Sequence, residues 1–150
     1  MVDSNDIIDA LVTQLKDIPA LVAAVGGDAD RIFAYKDAYP LSVSLRDAIY
    51  AQPTPSVMVA FEARRRDKNG DWPTIRHDLL VAVRPGSVAG YASIAALITE
   101  GTPTGAGLPM YTLEVHPDCL PFGVDLPELQ RESDANGIDY YVLTLSFKEK

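Results

Sequence analysis

Four side chains that can bind metals or act in catalysis stand at two places in the sequence. His116, Asp118 and Cys119 share one short stretch, and His77 lies well before it. Structural zinc sites normally offer paired close ligands, such as two CxxC elements, and the spacing HPDC does not match that pattern. Cys119 would need a nearby base to act as a nucleophile, and His116 is the candidate. Because nothing else in the sequence supports either site, we expect His116 to end a strand and Cys119 to be a small buried residue.

The glycines of GTPTGAG, residues 101–107, do not predict a phosphate site. This stretch follows a predicted helix and precedes a predicted strand. Phosphate-binding loops run from strand into helix, so that the helix N-terminus faces the anion. With no acid pair, triad or nucleotide fingerprint in the sequence, we expect a non-enzymatic protein without catalytic residues, metal or cofactor.

The strongest concentration of charge lies in EARRRDKNGD, residues 62–71, where Arg64, Arg65 and Arg66 are followed by Lys68 in a chain of net charge −8. Alternating strand residues face opposite ways, so Arg64 and Arg66 should share one side and Arg65 the other. Two interpretations stand: a nucleic-acid contact, or a solvated charged tip. A sequence pI near 4.6 opposes general nucleic-acid affinity, so any DNA contact has to be local. A single copy favours the solvated tip, whereas a ring of copies would gather many arginines around one opening.

The elements that hold these arginines are two β-rich runs joined at Asn69-Gly70, the dipeptide typical of a type I′ turn. The base of this predicted hairpin is apolar on both faces, and its outer half is polar. We therefore expect a long hairpin rooted in a covered sheet. A turn at Asn69-Gly70 implies three pairs: Val59 with Leu80, Ala60 with Leu79, and Glu62 with His77.

The remaining pattern predicts helices before and after the hairpin. Ser4 or Asp3 can cap a first helix, which Pro19 interrupts and Gly26-Gly27 end. A short strand should follow at Arg31–Tyr35, and a brief helical turn around SLRDAIY. After the hairpin we expect a helix in SVAGYASIAALITEG and strands in MYTLEVH and DYYVLTLSFKEK. The long connection 117–137 is predicted as a loop in which Asp125 caps a helical turn.

These elements predict an α+β fold: a mainly antiparallel sheet with a long β-hairpin, an N-terminal helix and a second helix packed on the sheet. The length of 150 residues fits one domain, 1–150, with a real core. Apolar runs are too short to span a membrane, the N-terminus lacks the basic start of a secretory signal, and the one cysteine excludes an intrachain disulfide. The predicted core beneath the helical stripe Ile8, Leu11 and Leu15 comprises Val59, Phe61, Leu80, Leu143, Leu145 and Phe147.

The order of these elements resembles the tail terminator, or tail completion, proteins of tailed bacteriophages. The resemblance lies in the opening DIIDALVTQLKDIPALVAAVGG, the strand RIFAY, the long charged hairpin, the helix YASIAALI and the closing strand DYYVLTLSFKEK. It covers most of the chain and rests on size and arrangement. The irregular segment 36–55 and the long acidic loop around Cys119 depart from the family pattern.

The resemblance implies a structural virion protein of the tail–neck region, assembled in the host cytoplasm. Such proteins form a homo-oligomeric ring, commonly a hexamer, that caps the tail tube, ends its polymerisation and joins it to the head connector protein. DNA passes transiently through the opening, and no membrane is involved. Arg64, Arg65, Arg66 and Lys68 would then face the lumen or a subunit interface. Two alternatives are another head–tail connector or minor tail protein, and a small non-phage binding module; an enzyme of unfamiliar type is a third.

Overall fold

The computed structural model describes residues 2–69, 72–85, 94, 97–98, 116–125, 132–133 and 139–149, with the backbone alone described at 67–69, 72–73, 120–125, 132–133 and 139. Within these residues the helices are α1 (Ser4–Lys16), α2 (Pro19–Ala24), α3 (Tyr35–Ala38) and α4 (Leu45–Tyr50). The strands are β1 (Ile32–Ala34), β2 (Ser56–Asn69), β3 (Trp72–Arg84), β4 (Cys119–Asp125), β5 (Glu132–Ser133) and β6 (Asp139–Glu149). None of the described helices is long and apolar enough to cross a membrane.

The first two helices form where the sequence predicts them. Asp3 is the N-cap of α1, and its carboxylate accepts the N–H of Asn5. Pro19 stands in the first turn of α2, so it begins a second helix instead of bending the first. Gly26 and Gly27 have φ values of 82° and 78°, the left-handed backbone that ends a helix at low cost in glycine.

The sheet is mixed and mostly antiparallel, which confirms the α+β fold. Its strand order is β1-β2-β3-β6-β4, and β5 also pairs with β6. The pairing of β1 with β2 is parallel, and the other pairings are antiparallel. Both faces of the sheet are covered at its base. One face packs on α1, α2 and the helical residues Ile94, Leu97 and Ile98, and the other packs on α4 and the segment before it.

At its outer end, β2 continues through a residue that was expected to lie in the turn. Asn69 pairs with Trp72, which places Asn69 in the strand and not at the centre of a turn. Residues 70 and 71, which link the two strands, lie outside the described residues.

A β-bulge shifts the register further towards the base. The pairing slips between Phe61 and Ala63, so that Glu62 is an extra residue of β2 without a partner in the ladder. The Glu62 carboxylate accepts instead from the Thr144 hydroxyl, 3.0 Å away. The three predicted pairs are therefore wrong, and the observed ones are Val59 with Val81, Ala60 with Leu80, and Arg64 with His77.

The predicted core is correct at four positions and wrong at two. Val59, Leu143, Leu145 and Phe147 are fully buried against the α1 side. Phe61 is 47% exposed, because it lies at the margin of that face where the bulge begins. Leu80 is half-buried and packs in the cluster on the opposite face, since its observed partner is Ala60.

The C-terminal part is more regular than predicted. The closing strand is present as β6, but the connection 117–137, predicted as a loop, holds β4 and β5. Asp125 is the last residue of β4, and the helical turn predicted after it lies outside the described residues. The sequence signal for β4 is weak because a proline and a glycine interrupt it. The predicted helix at 87–101, apart from Ile94, Leu97 and Ile98, and the predicted strand at 110–115 lie outside the described residues.

The different burial of Phe61 and Phe147 predicts losses of stability of different size. Phe147→Ala should lower the free energy of unfolding by about 3–5 kcal/mol, because the side chain is fully buried on the α1 face. Phe61→Ala is the matched control and should cost far less. Denaturant melts at low protein concentration measure both values. A loss below about 1 kcal/mol for Phe147→Ala would contradict the assigned face of β6.

Candidate functional site

The three arginines lie in the part of β2 beyond the bulge, and all three are exposed. Arg64 is opposite His77, and Arg66 is opposite Ile75, on the face that bears α1. Arg65 lies on the other face. The predicted division of the arginines between two sides is thus correct. Lys68 continues the same strand opposite Pro73, and its side chain lies outside the described part of the structure.

Arg65 is held by a buried carboxylate. The Nε atom of Arg65 is 3.0 Å from Oδ2 of Asp78, whose side chain is only 4% exposed. Arg76 Nε lies 3.0 Å from the other oxygen, Oδ1, and the Ser146 hydroxyl donates to that oxygen at 2.6 Å. A buried carboxylate is costly unless it is paired and hydrogen-bonded, so this network compensates the charge of Asp78. Among Arg64, Arg65 and Arg66, Arg65 is thus the one that forms an ion pair with this buried carboxylate.

A second polar network lies on the α1 face, centred on the fully buried ring of His77. Its Nδ1 is 2.7 Å from the Ser4 hydroxyl oxygen, and its Nε2 is 3.1 Å from Oε1 of Glu149. The N–H of Val2 donates to the same Glu149 oxygen at 2.9 Å. One neutral tautomer satisfies both ring nitrogens: Nε2–H donates to Glu149, and Nδ1 accepts from Ser4. The network joins the start of α1 to β3 and β6.

Ser4, His77 and Glu149 are the group types of a hydrolase triad, but two features oppose that role. The His77 ring is 0% exposed, whereas a general acid must reach the leaving group. The N–H of Asn5, beside Ser4, already donates to Asp3 and is not free to stabilise an oxyanion. The geometry therefore favours a structural clasp.

The pKa of Glu149 reflects this clasp. Burial alone would raise the pKa of its carboxyl, but hydrogen bonds from Val2 and His77 and the positive charge of Arg64 lower the pKa below its ordinary value of 4.5. Arg64 therefore belongs to the electrostatic surroundings of the α1 network, as Arg65 belongs to those of Asp78.

Two recesses open beside the arginines. One, of about 430 Å³, is lined by Phe61, Arg64 and residues 2–5 at the start of α1. The other, of about 420 Å³, runs along Arg64, Arg65, Arg66 and Ile75. The first recess places the Arg64 guanidinium and the Asp3 carboxylate beside the Phe61 ring, whereas the second places three guanidinium groups beside Ile75. The lining of the second recess suits a partner that offers an acidic group next to an apolar one.

The histidine and cysteine candidates do not come together. His77 is engaged with Ser4 and Glu149, while Nδ1 of His116 accepts the N–H of Asp118 at 3.0 Å. Cys119 is buried at the start of β4, as expected for a small core residue. Among the described residues, no three histidine, cysteine or acidic side chains form a group that could hold a metal ion.

The α1 network was missed in the sequence, although strand periodicity contains a signal for it. Glu149 continues the alternation of Leu145 and Phe147 and so falls on the buried face of β6. His77 falls on the buried face of β3 for the same reason. A charged residue and a histidine at apolar-face positions of strands that become neighbours predict a buried polar pair.

No protein-family model matches this chain, and none of the curated proteins with which it was compared matches it either.

The lowered pKa of Glu149 predicts a pH-dependent contribution to stability. A carboxyl whose pKa is lower in the folded state stabilises the fold above its unfolded pKa, here 4.5, and loses that contribution as the pH falls through the folded value. Glu149→Gln should therefore be less stable than the wild type at neutral pH, and the difference should shrink below pH 4.5. Denaturant melts across this range measure the difference. A difference that does not change with pH would contradict the clasp.

Proposed function

We propose that this protein is a tail terminator of a tailed bacteriophage, a non-enzymatic structural protein of the virion. In this role a homohexameric ring caps the tail tube, ends its polymerisation and presents a surface to the head connector protein. The proposal combines the resemblance in element order with the α+β fold.

The observation that carries the proposal is the cationic outer end of the sheet. At its base the sheet is covered on both faces, and its outer end bears Arg64, Arg65 and Arg66 on β2, where β6 still flanks β3 opposite Arg64 and Arg65. The preceding part of the chain, residues 2–61, holds eight aspartates against four lysines and arginines. Positive charge is thus concentrated at the outer end of the sheet, next to an acidic part of the chain, which supports a role of this end in binding a partner.

The same charge distribution agrees with transient DNA passage. A passage requires weak phosphate contacts without sequence readout, because tight binding would stop the DNA. The net charge of −8 opposes general binding to DNA, while a ring of arginines would act only near the opening. The proposed location is the tail–neck region of the virion.

The proposed ring makes a direct prediction about assembly. Purified protein should form a closed ring at high concentration or at the ends of purified tail tubes, since a tail terminator is defined by that contact. Light scattering over a concentration series gives the mass, and electron microscopy of tubes mixed with the protein shows the capped ends.

Tubes mixed with an unrelated acidic protein of similar size are the control for non-specific attachment. A wild-type protein that remains monomeric at every concentration and leaves tube length and tube ends unchanged would overturn the proposed function.

Loss of the arginines should lower the yield of infectious particles and leave the free energy of unfolding nearly unchanged. We expect replacement of Arg64, Arg65 and Arg66 by Ser to change the free energy of unfolding by less than about 1 kcal/mol, since exposed charges contribute little and Asp78 retains Arg76 and Ser146. The variant should still yield fewer infectious particles, through poor tail joining or DNA passage. Thermal melts and plaque titres test both parts. Normal folding with wild-type titres would identify the arginines as a solvated tip.

A further inference from the structure

We propose that Arg64 and Arg66 prevent one edge of β2 from pairing with the same edge of a second copy of this chain. The inference concerns free copies of the protein in solution, so it does not rest on the proposed function. It gives the arginines a role in addition to any contact with a partner.

The edge in question begins where β1 ends. β1 pairs with β2 only at Val57, Met58 and Val59. Beyond Val59, β3 is the one neighbour of β2 among the described strands. An edge strand leaves the backbone N–H and C=O groups of its outer side unpaired, and a strand of another molecule can bond to them. We call residues 61–66 of β2 the open edge.

Side chains along the open edge are exposed on both faces of the strand. Of its six residues, Ala63 is half-buried and the others are exposed. The ring of Phe61 is 47% exposed, and the side chain of Arg65, on the other face, is 56% exposed. A second strand can therefore approach here, and pairing would also bury part of the Phe61 ring. An accessible edge next to an exposed aromatic ring is a site at which copies can aggregate.

The bulge interrupts the open edge near its inner end. Antiparallel pairing of two copies centred on Ala63 would bring Glu62 of one copy opposite Arg64 of the other, an attractive pair. This register crosses the extra residue, where the regular spacing of the backbone is lost. The Glu62 carboxylate also accepts from Thr144 within its own copy. The bulge thus disfavours the register in which opposite charges would meet.

Beyond the bulge, the arginines oppose pairing directly. Antiparallel pairing centred on Arg65 would place Arg64 of each copy opposite Arg66 of the other. Directly opposite side chains lie about 5 Å apart, and like charges at that distance are destabilising. Arg65 is bonded to Asp78, so the repulsion arises mainly from Arg64 and Arg66. Strand edges are commonly blocked by charged side chains and bulges, and this edge combines both.

The net charge of the chain separates this local effect from general solubility. At a net charge of −8, copies already repel one another, and the arginines reduce that repulsion. Removing them makes the chain more acidic, which by itself opposes association. A cation also suits position 64 because Glu149 lies within its electrostatic reach. If association nevertheless increases when the arginines are removed, the cause is the edge and not the net charge.

The test is the variant Arg64→Thr/Arg66→Thr, in which threonine favours the strand but carries no charge. Its thermal melt at low concentration should resemble that of the wild type, since exposed charges contribute little to stability. Its mass in light scattering should rise at a concentration at least about tenfold lower than that of the wild type. Hydrogen exchange should show that residues 61–66 gain protection in the associated species. Arg66→Thr alone, which keeps the cation beside Glu149, should show a smaller change of the same kind.

Two double variants are the matched controls. Arg64→Lys/Arg66→Lys keeps both charges and should associate like the wild type. Lys16→Thr/Arg46→Thr removes the same amount of charge from α1 and α4 and leaves the open edge unchanged. It should also associate like the wild type.

Three results would overturn the proposal. They are wild-type association of both threonine variants of the edge, associated species in which residues 61–66 gain no protection, and equal association of Lys16→Thr/Arg46→Thr. Each of these results leaves the proposed function standing, because capping of tubes by the wild type tests that function. A wild type that caps no tubes, together with association of the edge variants, would overturn the proposed function and support the role of the edge.

Discussion

The extra residue in β2, Glu62, determines which face of the sheet each later residue of β2 occupies. Without the bulge, strict alternation from Val59 and Phe61 would place Arg65 on the α1 face. With it, Arg64 and Arg66 take that face, and Arg65 turns to the other. A one-residue shift exchanges every side chain between faces, so Arg64, Arg65 and Arg66 would otherwise meet the wrong partners. Arg65 would then approach His77 and Glu149, and Asp78 would lose one of its cations.

The two faces stabilise the outer sheet by different means because they bury different groups. Asp78 is compensated by two guanidinium groups and a hydroxyl, whereas Glu149 is bonded by an imidazole and a backbone N–H. Buried polar groups of this kind contribute modest net stability but penalise alternative registers, because a slipped strand would leave a charge without a partner. The networks therefore help to hold the arginines in one arrangement. A surface that binds a partner needs this order more than it needs additional stability.

The sequence predicts the fold class and the helical starts well, because these depend on local signals such as Asp3, Pro19 and the period of the apolar residues. It also predicts which strand faces carry Leu145 and Phe147. The bulge is not predictable in this way, since Glu62 resembles any polar strand residue, and the pairing is decided by the packing of the sheet as a whole. The clasp of Ser4, His77 and Glu149 joins residues far apart in the chain. Strand alternation places His77 and Glu149 on buried faces, but only the assembled sheet shows that they meet each other and Ser4.

Charge and apolar surface have separate effects on association at the arginine-bearing outer end of the sheet. Attraction between acidic surface and the arginines at the outer end of the sheet acts at a distance and is weakened by salt. It therefore raises the rate of association more than it raises the affinity. Like charges on the remaining surfaces oppose unspecific association of copies. Exposed apolar surface beside the arginines, such as that of Phe61, adds short-range affinity only where shapes fit. Assembly that is weak for free copies and strong where neighbours are already positioned suits a ring that must form at the end of a tube and not earlier.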